Sequence, residues 1–390
     1  MDKENLSPHI FTTARGFPME LETQLLLAKE LKYFNEEKIF DKINDVAKLL
    51  NGLIQSRRKN LDFKNFLIYL SFIVYYLLLP TCYLLLPSQL TFAAFQNTSW
   101  SVSAESMGSV ATAKNEEAFS IFYNPACLVN VENKEIQFAY YKPYSGLENV
   151  NFSISNFAFV LPTKYFSLGV GIGLYNVNSL YYESTTILSL SSVLKKIFSY
   201  LPNLSIGTNL KMLTKGYNFD NEILNYEPTL KDKNSVSSFS LDIGLNYKLL
   251  KNKLLLGLSV KDINRPNVAV TDTEDIVPMT ISFGSAYNFG DIKAGLYFED
   301  FTLATEIRYR DQIWGNLQEK LFYALGMETF LNFRTIAFRA GINKESINFG
   351  FGYYGIKISK FTLGLNYGFG VSTVISDNFG NHKLSIDLQF

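Results

Sequence analysis

Ser238–Leu249 reads "SFSLDIGLNYKL". Phe239, Leu241, Ile243, Leu245 and Tyr247 fall on one side of an extended chain; Ser240, Asp242, Gly244, Asn246 and Lys248 fall on the other. Side chains alternate with period two in a strand, so the stretch predicts a strand with one apolar and one polar face. Phe166–Tyr175 "FSLGVGIGLY", Lys360–Phe369 "KFTLGLNYGF" and His382–Phe390 "HKLSIDLQF" repeat the scheme. In the last of these, Leu384, Ile386, Leu388 and Phe390 alternate with Lys383, Ser385, Asp387 and Gln389.

A soluble sandwich alternates too, but its wetted face usually carries Lys, Glu and Thr. Here the polar face is mostly Gly, Ser, Asn and Thr, small groups suited to a crowded interior. The apolar face is large, with Tyr247, Tyr309, Tyr353 and Tyr367 near strand ends, where an interfacial girdle sits. The pattern predicts an all-β protein: an antiparallel transmembrane barrel with Leu241, Ile243, Leu245, Leu363 and Leu365 toward lipid and Asp242, Asn246 and Asn366 toward the lumen. Fifteen candidate strands lie between 134 and 390, of which 291–298 is the weakest and reads as part of a long hairpin. Single-chain barrels have an even count, so about fourteen are expected.

Composition narrows the functions. Lys plus Arg equals Asp plus Glu at 36 each, which gives nucleic acid no basic stripe to bind. Two Cys and two His leave no disulfide framework, no zinc spacing and no catalytic triad, so neither enzyme activity nor a metal or other cofactor is expected.

The chain divides into four parts. Residues 1–60 carry two amphipathic helical patterns, through Leu21, Leu25, Ala28 and Leu31 and then Ile39, Ile43, Val46 and Leu50, and are expected to be a helical appendage or a translated remnant. Residues 61–94 begin beside Arg57, Arg58, Lys59 and Lys64, continue in an uncharged apolar run and close on "TFA". That is the anatomy of a secretory signal, and Pro80 and Pro87 favour it over a spanning helix. Residues 95–133 are expected to form a plug or hatch, and 134–390 the barrel. The mature chain is expected to begin near Ala94.

"ELETQLLLAKEL" and "LLNGLI", within about residues 8–58, resemble half of the four-helix-bundle proteins encoded in ribosomal-RNA intervening sequences, the S23 family. Ser103–Met107, Glu117–Ala118, Ile121–Leu128 "IFYNPACL" and Leu256–Asn267 "LGLSVKDINRPN" resemble the FadL-like outer-membrane barrels, in particular their PorV/PorQ and UPF0164-type branch. That resemblance spans residues 100–390 and marks Asn124, Pro125 and Ala126 as the plug turn. Independently of it, Pro125 fixes its own φ and keeps Asn124 out of helical geometry. The resemblance implies passage of hydrophobic small molecules across the outer membrane, or alternatively a secretion-associated barrel that docks a protein.

The implied partners are the lipid bilayer, the barrel-assembly machinery and a hydrophobic ligand or secreted protein. The strand ending in Leu384, Ile386, Leu388 and Phe390 resembles the signal which that machinery reads. Glu306, Arg308 and Arg310 share one strand face, and with Arg339 are expected as lumen charges. Phe157 and Phe159 are expected on the polar register of their strand, lining a pocket or touching the plug.

Overall fold

A computed structural model describes residues 94–95, 99–145, 151–196, 203–219, 234–270, 273–294, 296–312, 316–374 and 379–390. The helical appendage expected over 1–60 and most of the 61–94 segment lie outside the described residues. Fourteen antiparallel strands close on themselves. The first seven are β1 (Glu135–Lys142), β2 (Phe152–Pro162), β3 (Ser167–Val177), β4 (Tyr181–Val193), β5 (Leu204–Tyr217), β6 (Ser235–Leu249) and β7 (Leu254–Lys261). The rest are β8 (Thr280–Ala294), β9 (Leu296–Arg310), β10 (Leu321–Leu331), β11 (Ile336–Asn343), β12 (Ser346–Ile358), β13 (Phe361–Ser372) and β14 (Asn381–Gln389).

Each strand pairs with its sequence neighbours, and β1 closes the ring on β14 from Glu135↔Gln389 to Lys142↔His382. Closure leaves no strand edge unpaired, which is what a sheet in hydrocarbon needs. The 291–298 candidate is no separate strand: it forms the far ends of β8 and β9, paired through Ile292↔Phe298. Among the described residues no helix is long and apolar enough to cross a membrane.

The ring sorts its side chains by face. Leu241 and Ile243 of β6 are 46% and 47% exposed on the outside, while Asp242 and Asn246 are buried inside. Phe138, Leu188, Ile307, Leu365 and Leu384 continue the outer apolar surface. An apolar belt on this scale needs a bilayer around it. Connections are short where β1 begins and β14 ends (163–166, 250–253, 332–335, 359–360), apart from 194–203. Longer ones (143–151, 218–234, 262–279) gather at the opposite end. Short turns mark the periplasmic end of such barrels and long loops the outer end.

Phe157 and Phe159 correct the expectation made for them. Both alternate with the buried Ile154, Asn156, Ala158 and Val160, so they point outward, and Phe157 packs on Phe138 with ring centroids 4.9 Å apart. The inner face of β2 is largely apolar because it meets apolar side chains in the lumen, so the rule that polar means inward fails on this strand.

Candidate functional site: the filled lumen

The lumen is occupied by the chain that precedes β1. Helix α1 (Val102–Ser106) and two 3₁₀ turns, Ala118–Phe122 and Pro125–Asn130, carry it down to Val131. Ser101 caps α1, its hydroxyl accepting from Ala104 N. At the expected Asn-Pro-Ala turn, Asn124 is extended at φ −146° and ψ 105°, and Pro125 starts the second 3₁₀ turn. The Asn124 amide donates to Thr112 O at 2.7 Å and Leu245 O at 3.0 Å, while its oxygen accepts from Ala126 N at 3.1 Å. Its side chain thus ties two stretches of the inner segment to β6.

The barrel wall leaves room by being bare. A Cβ on Gly244 would lie 1.9 Å from Asn124 Oδ1, and one on Gly341 would lie 2.0 Å from the Met107 carbonyl carbon. Glycine is required at both because backbone and side chains approach closer than any methyl allows.

Two kinds of contact hold the segment. Toward β1, β2 and β4, Phe119, Ile121, Phe122 and Leu128 are buried against Ala158, Val160 and Ile187. Trp100 stacks on Phe122 at 4.6 Å, with ring planes 10° apart. Toward β9–β14 the segment buries Met107, Val110 and Ala113 against Ala304, Ala324 and Phe322, and ionic contacts are added to these. Glu306 accepts from Ala111 N at 2.8 Å and Thr112 N at 2.9 Å, and pairs with Arg308 at 2.6 Å. Glu105 pairs with Lys383 at 3.0 Å. Glu328 pairs with Lys114 and, at 2.6 Å, with Arg339. Arg339 then donates to Asn366 and Tyr354, both at 2.9 Å, and Asn366 donates to Asp387 at 2.6 Å. Nearer β1, Gln137 donates to Asp387 and Glu117, and its oxygen accepts from Phe119 N.

These buried charges are paired and hydrogen-bonded, the condition for carrying them out of water. Burial, with the Glu105 carboxylate nearby, pushes the Tyr123 phenol up; its oxygen accepts from Ser101 N at 3.0 Å. Cys127 is buried and unbonded to another sulfur, with its thiol pushed up to about 12, chiefly by burial. Its sulfur lies 3.6 Å from Thr112 O and 4.0 Å from Ala113 O.

The four expected lumen charges fall into three places. Glu306 and Arg308 form one pair, Arg339 belongs to the Glu328 network, and Arg310 reaches Phe95 O at 3.0 Å. Sequence reasoning missed Glu105, Lys114, Glu183, Glu328 and Lys383 as members. For the strand residues a signal existed, since Glu183, Glu328 and Lys383 occupy polar register positions. Leu384, Ile386 and Phe390 face outward, and Phe390 packs near Phe361 at 5.8 Å. Among the described residues no cluster of His, Cys, Asp or Glu is disposed to hold a metal.

A cavity of ≈ 40 Å³ lies in the outer half, lined by the aromatic Phe95, Trp100 and Phe122 and by the charged Lys211, Asp242, Lys261, Asp262 and Arg310. That holds about three waters and is too small for a hydrocarbon ligand.

A closed ring with an apolar belt outside and a polar, filled lumen inside defines an outer-membrane β-barrel. The family model described as type IX secretion system membrane protein PorP/SprF matches residues 117–388, and the chain belongs to that family. No curated protein matches it. Among solved structures, the CymD monoaromatic hydrocarbon channel is similar at 14% identity, covering 76% of this chain and 99% of that one, with a TM-score of 0.52. The Pseudomonas putida toluene transporter TodX is similar at 10% identity, with 76% and 98% covered and a TM-score of 0.50. A Pseudomonas aeruginosa FadL homologue is similar at 10% identity, with 75% and 98% covered and a TM-score of 0.50. At these identities the likeness shows a shared FadL-like fold.

Proposed function

We propose that this barrel serves type IX secretion as a plugged, non-catalytic docking protein, and that it does not pass hydrophobic molecules through its lumen. The observation that carries this reading is the lumen itself. Where a channel needs a path, the described residues place Ala111, Ala126, Cys127 and Leu128 at 0% exposure, and the Glu105–Lys383 and Lys114–Glu328 pairs tie the same segment to the wall. Membership in PorP/SprF supports the secretion role. The longer loops at the outer end are suited to holding a protein partner.

The finer kinship with PorV/PorQ and UPF0164-type barrels belongs to this proposal. So do export by the 61–94 signal, cleavage near Ala94 and insertion by the barrel-assembly machinery through the β14 strand. Deleting the gene in its own bacterium and measuring both the secreted proteins and oleate or toluene uptake tests the reading. Export should fall while uptake stays unchanged. Lost uptake with normal export would overturn it in favour of transport.

A further inference from the structure

At the outer end of the inner segment, two residues are held in a way the plug does not require. Ala94 is buried with Leu213, Val268 and Val277, and Phe95 and Val236 pack against that group. Val268 and Val277 belong to the β7–β8 connection, which folds back on itself through Val268 N to Asp275 O at 2.8 Å and Val277 N to Pro266 O at 2.9 Å. The dipeptide therefore lies beneath an inward-folded loop.

Its backbone is gripped from two strands. Phe95 N donates to Glu183 Oε1 on β4 at 2.9 Å, and Arg310 Nη2 on β9 donates to Phe95 O at 3.0 Å. Glu183 is buried and steadied by the Tyr181 hydroxyl at 2.6 Å. Meanwhile Phe95 lines the small cavity, beside Trp100 and Phe122 on the one hand and the charged Lys211, Asp242, Lys261 and Asp262 on the other. A carboxylate for an N–H, a guanidinium for the carbonyl and the Leu213, Val268 and Val277 side chains for the apolar part make up a recognition site for extended peptide.

Two further observations mark the present occupant as a poor fit. Phe95 sits at φ +57°, a left-handed conformation that a bulky L residue rarely adopts. Arg310 Nε is buried with no hydrogen-bond partner among the described residues, a donor left over for a further carbonyl. An incoming peptide with ordinary backbone angles would escape the strain and could use the spare donor.

We propose that Glu183, Arg310 and the apolar group of Leu213, Val268 and Val277 form a peptide-binding site, held shut by Ala94–Phe95, whose ligand is an extended segment with a small residue followed by an aromatic one. This deepens the docking reading and rests on it for the source of the peptide. The site can be tested with the full chain in lipid nanodiscs and a fluorescent N-acetylated, C-amidated Ala-Ala-Phe-Gln probe, the chain's own residues 93–96. Phe95→Pro removes the N–H that Glu183 accepts and fixes φ near −65°, which releases the latch. Heat-modifiable migration on gels confirms that the barrel has formed, and Phe95→Asp, repelled by Glu183, replaces Phe95→Pro if it has not.

The released variant should bind the probe at least tenfold more tightly than the wild type. Adding Glu183→Gln or Arg310→Gln should reverse the gain. No gain on release, or a gain that survives both second substitutions, would overturn the site. The binding assay contains no secretion machinery, so its failure is distinct from a failure of the export experiment.

Discussion

Glu306→Gln tests whether the ionic contacts hold the inner segment in place. The substitution keeps the shape but removes the charge that Arg308 pairs with at 2.6 Å and that receives two backbone N–H groups at 2.8 and 2.9 Å. Breaking a buried pair from one side costs about 3–5 kcal/mol. The strand ladders are untouched, so the cost should fall on the seating of residues 105–114 and leave the barrel formed. Cys127 reports that seating, since Thr112 and Ala113 cover its sulfur. In a Cys82→Ser background, maleimide should label the wild type very slowly, because the thiol is buried and pushed up to about 12. At about 1.4 kcal/mol per factor of ten, the variant should label on the order of 10²- to 10³-fold faster. Its rate should rise with pH as the uncovered thiol regains its ordinary range. Glu132→Gln, an exposed control, should label like the wild type. A folded Glu306→Gln barrel that labels no faster than wild type would refute the reasoning.

Leu365→Arg should cost about 2–4 kcal/mol in folding into lipid vesicles if Leu365 lies near the midplane, because its outward side chain would enter hydrocarbon. Asn366→Arg, although it points into the lumen, should also be costly. Asn366 is buried and joins Arg339, Tyr354 and Asp387. Gly341→Ala should loosen the inner segment, measured by the same Cys127 labelling, because its Cβ would meet Met107 backbone at 2.0 Å. Phe390→Ala, which removes the contact with Phe361, should lower outer-membrane yield with synthesis unchanged, as read from membrane fractions.

Ser238–Leu249 carries enough information to orient its own strand, and the registers of β6, β9, β13 and β14 follow from the same alternation. Fourteen of the fifteen candidate strands correspond one to one with observed strands, with ends displaced by a few residues where turns, rather than alternation, set the boundary. Alternation separates two faces but does not say which one looks inward. For β2 the assumption that polar points in misplaces Phe157 and Phe159. The inner neighbours of β2 are Phe119, Ile121 and Phe122, so its lumen positions Ile154, Ala158 and Val160 are apolar. Partners were harder still to read. Glu306 meets backbone N–H groups of residues 111 and 112, and neither residue type nor spacing encodes a contact made by a main chain so far away in sequence.

The two sides of the inner segment do different work. Phe119, Ile121, Phe122 and Leu128 gain from leaving water, by about 1.5–3 kcal/mol for each buried side chain. The Glu105–Lys383, Glu306–Arg308 and Lys114–Glu328–Arg339 contacts must first offset the cost of desolvating their charges, so their net contribution is small while the penalty for misplacing one is large. The apolar contacts, smaller over 105–114 (Met107, Val110, Ala113) than over 118–130, therefore supply the attachment, and the ionic contacts fix where residues 105–114 lie. This division predicts an order of opening. Amide exchange should be fastest over 105–114 and slower over 118–130, and Glu306→Gln should accelerate only the first stretch. Uniform acceleration across 102–131 would mean that the segment moves as one body and that the ionic contacts hold all of it.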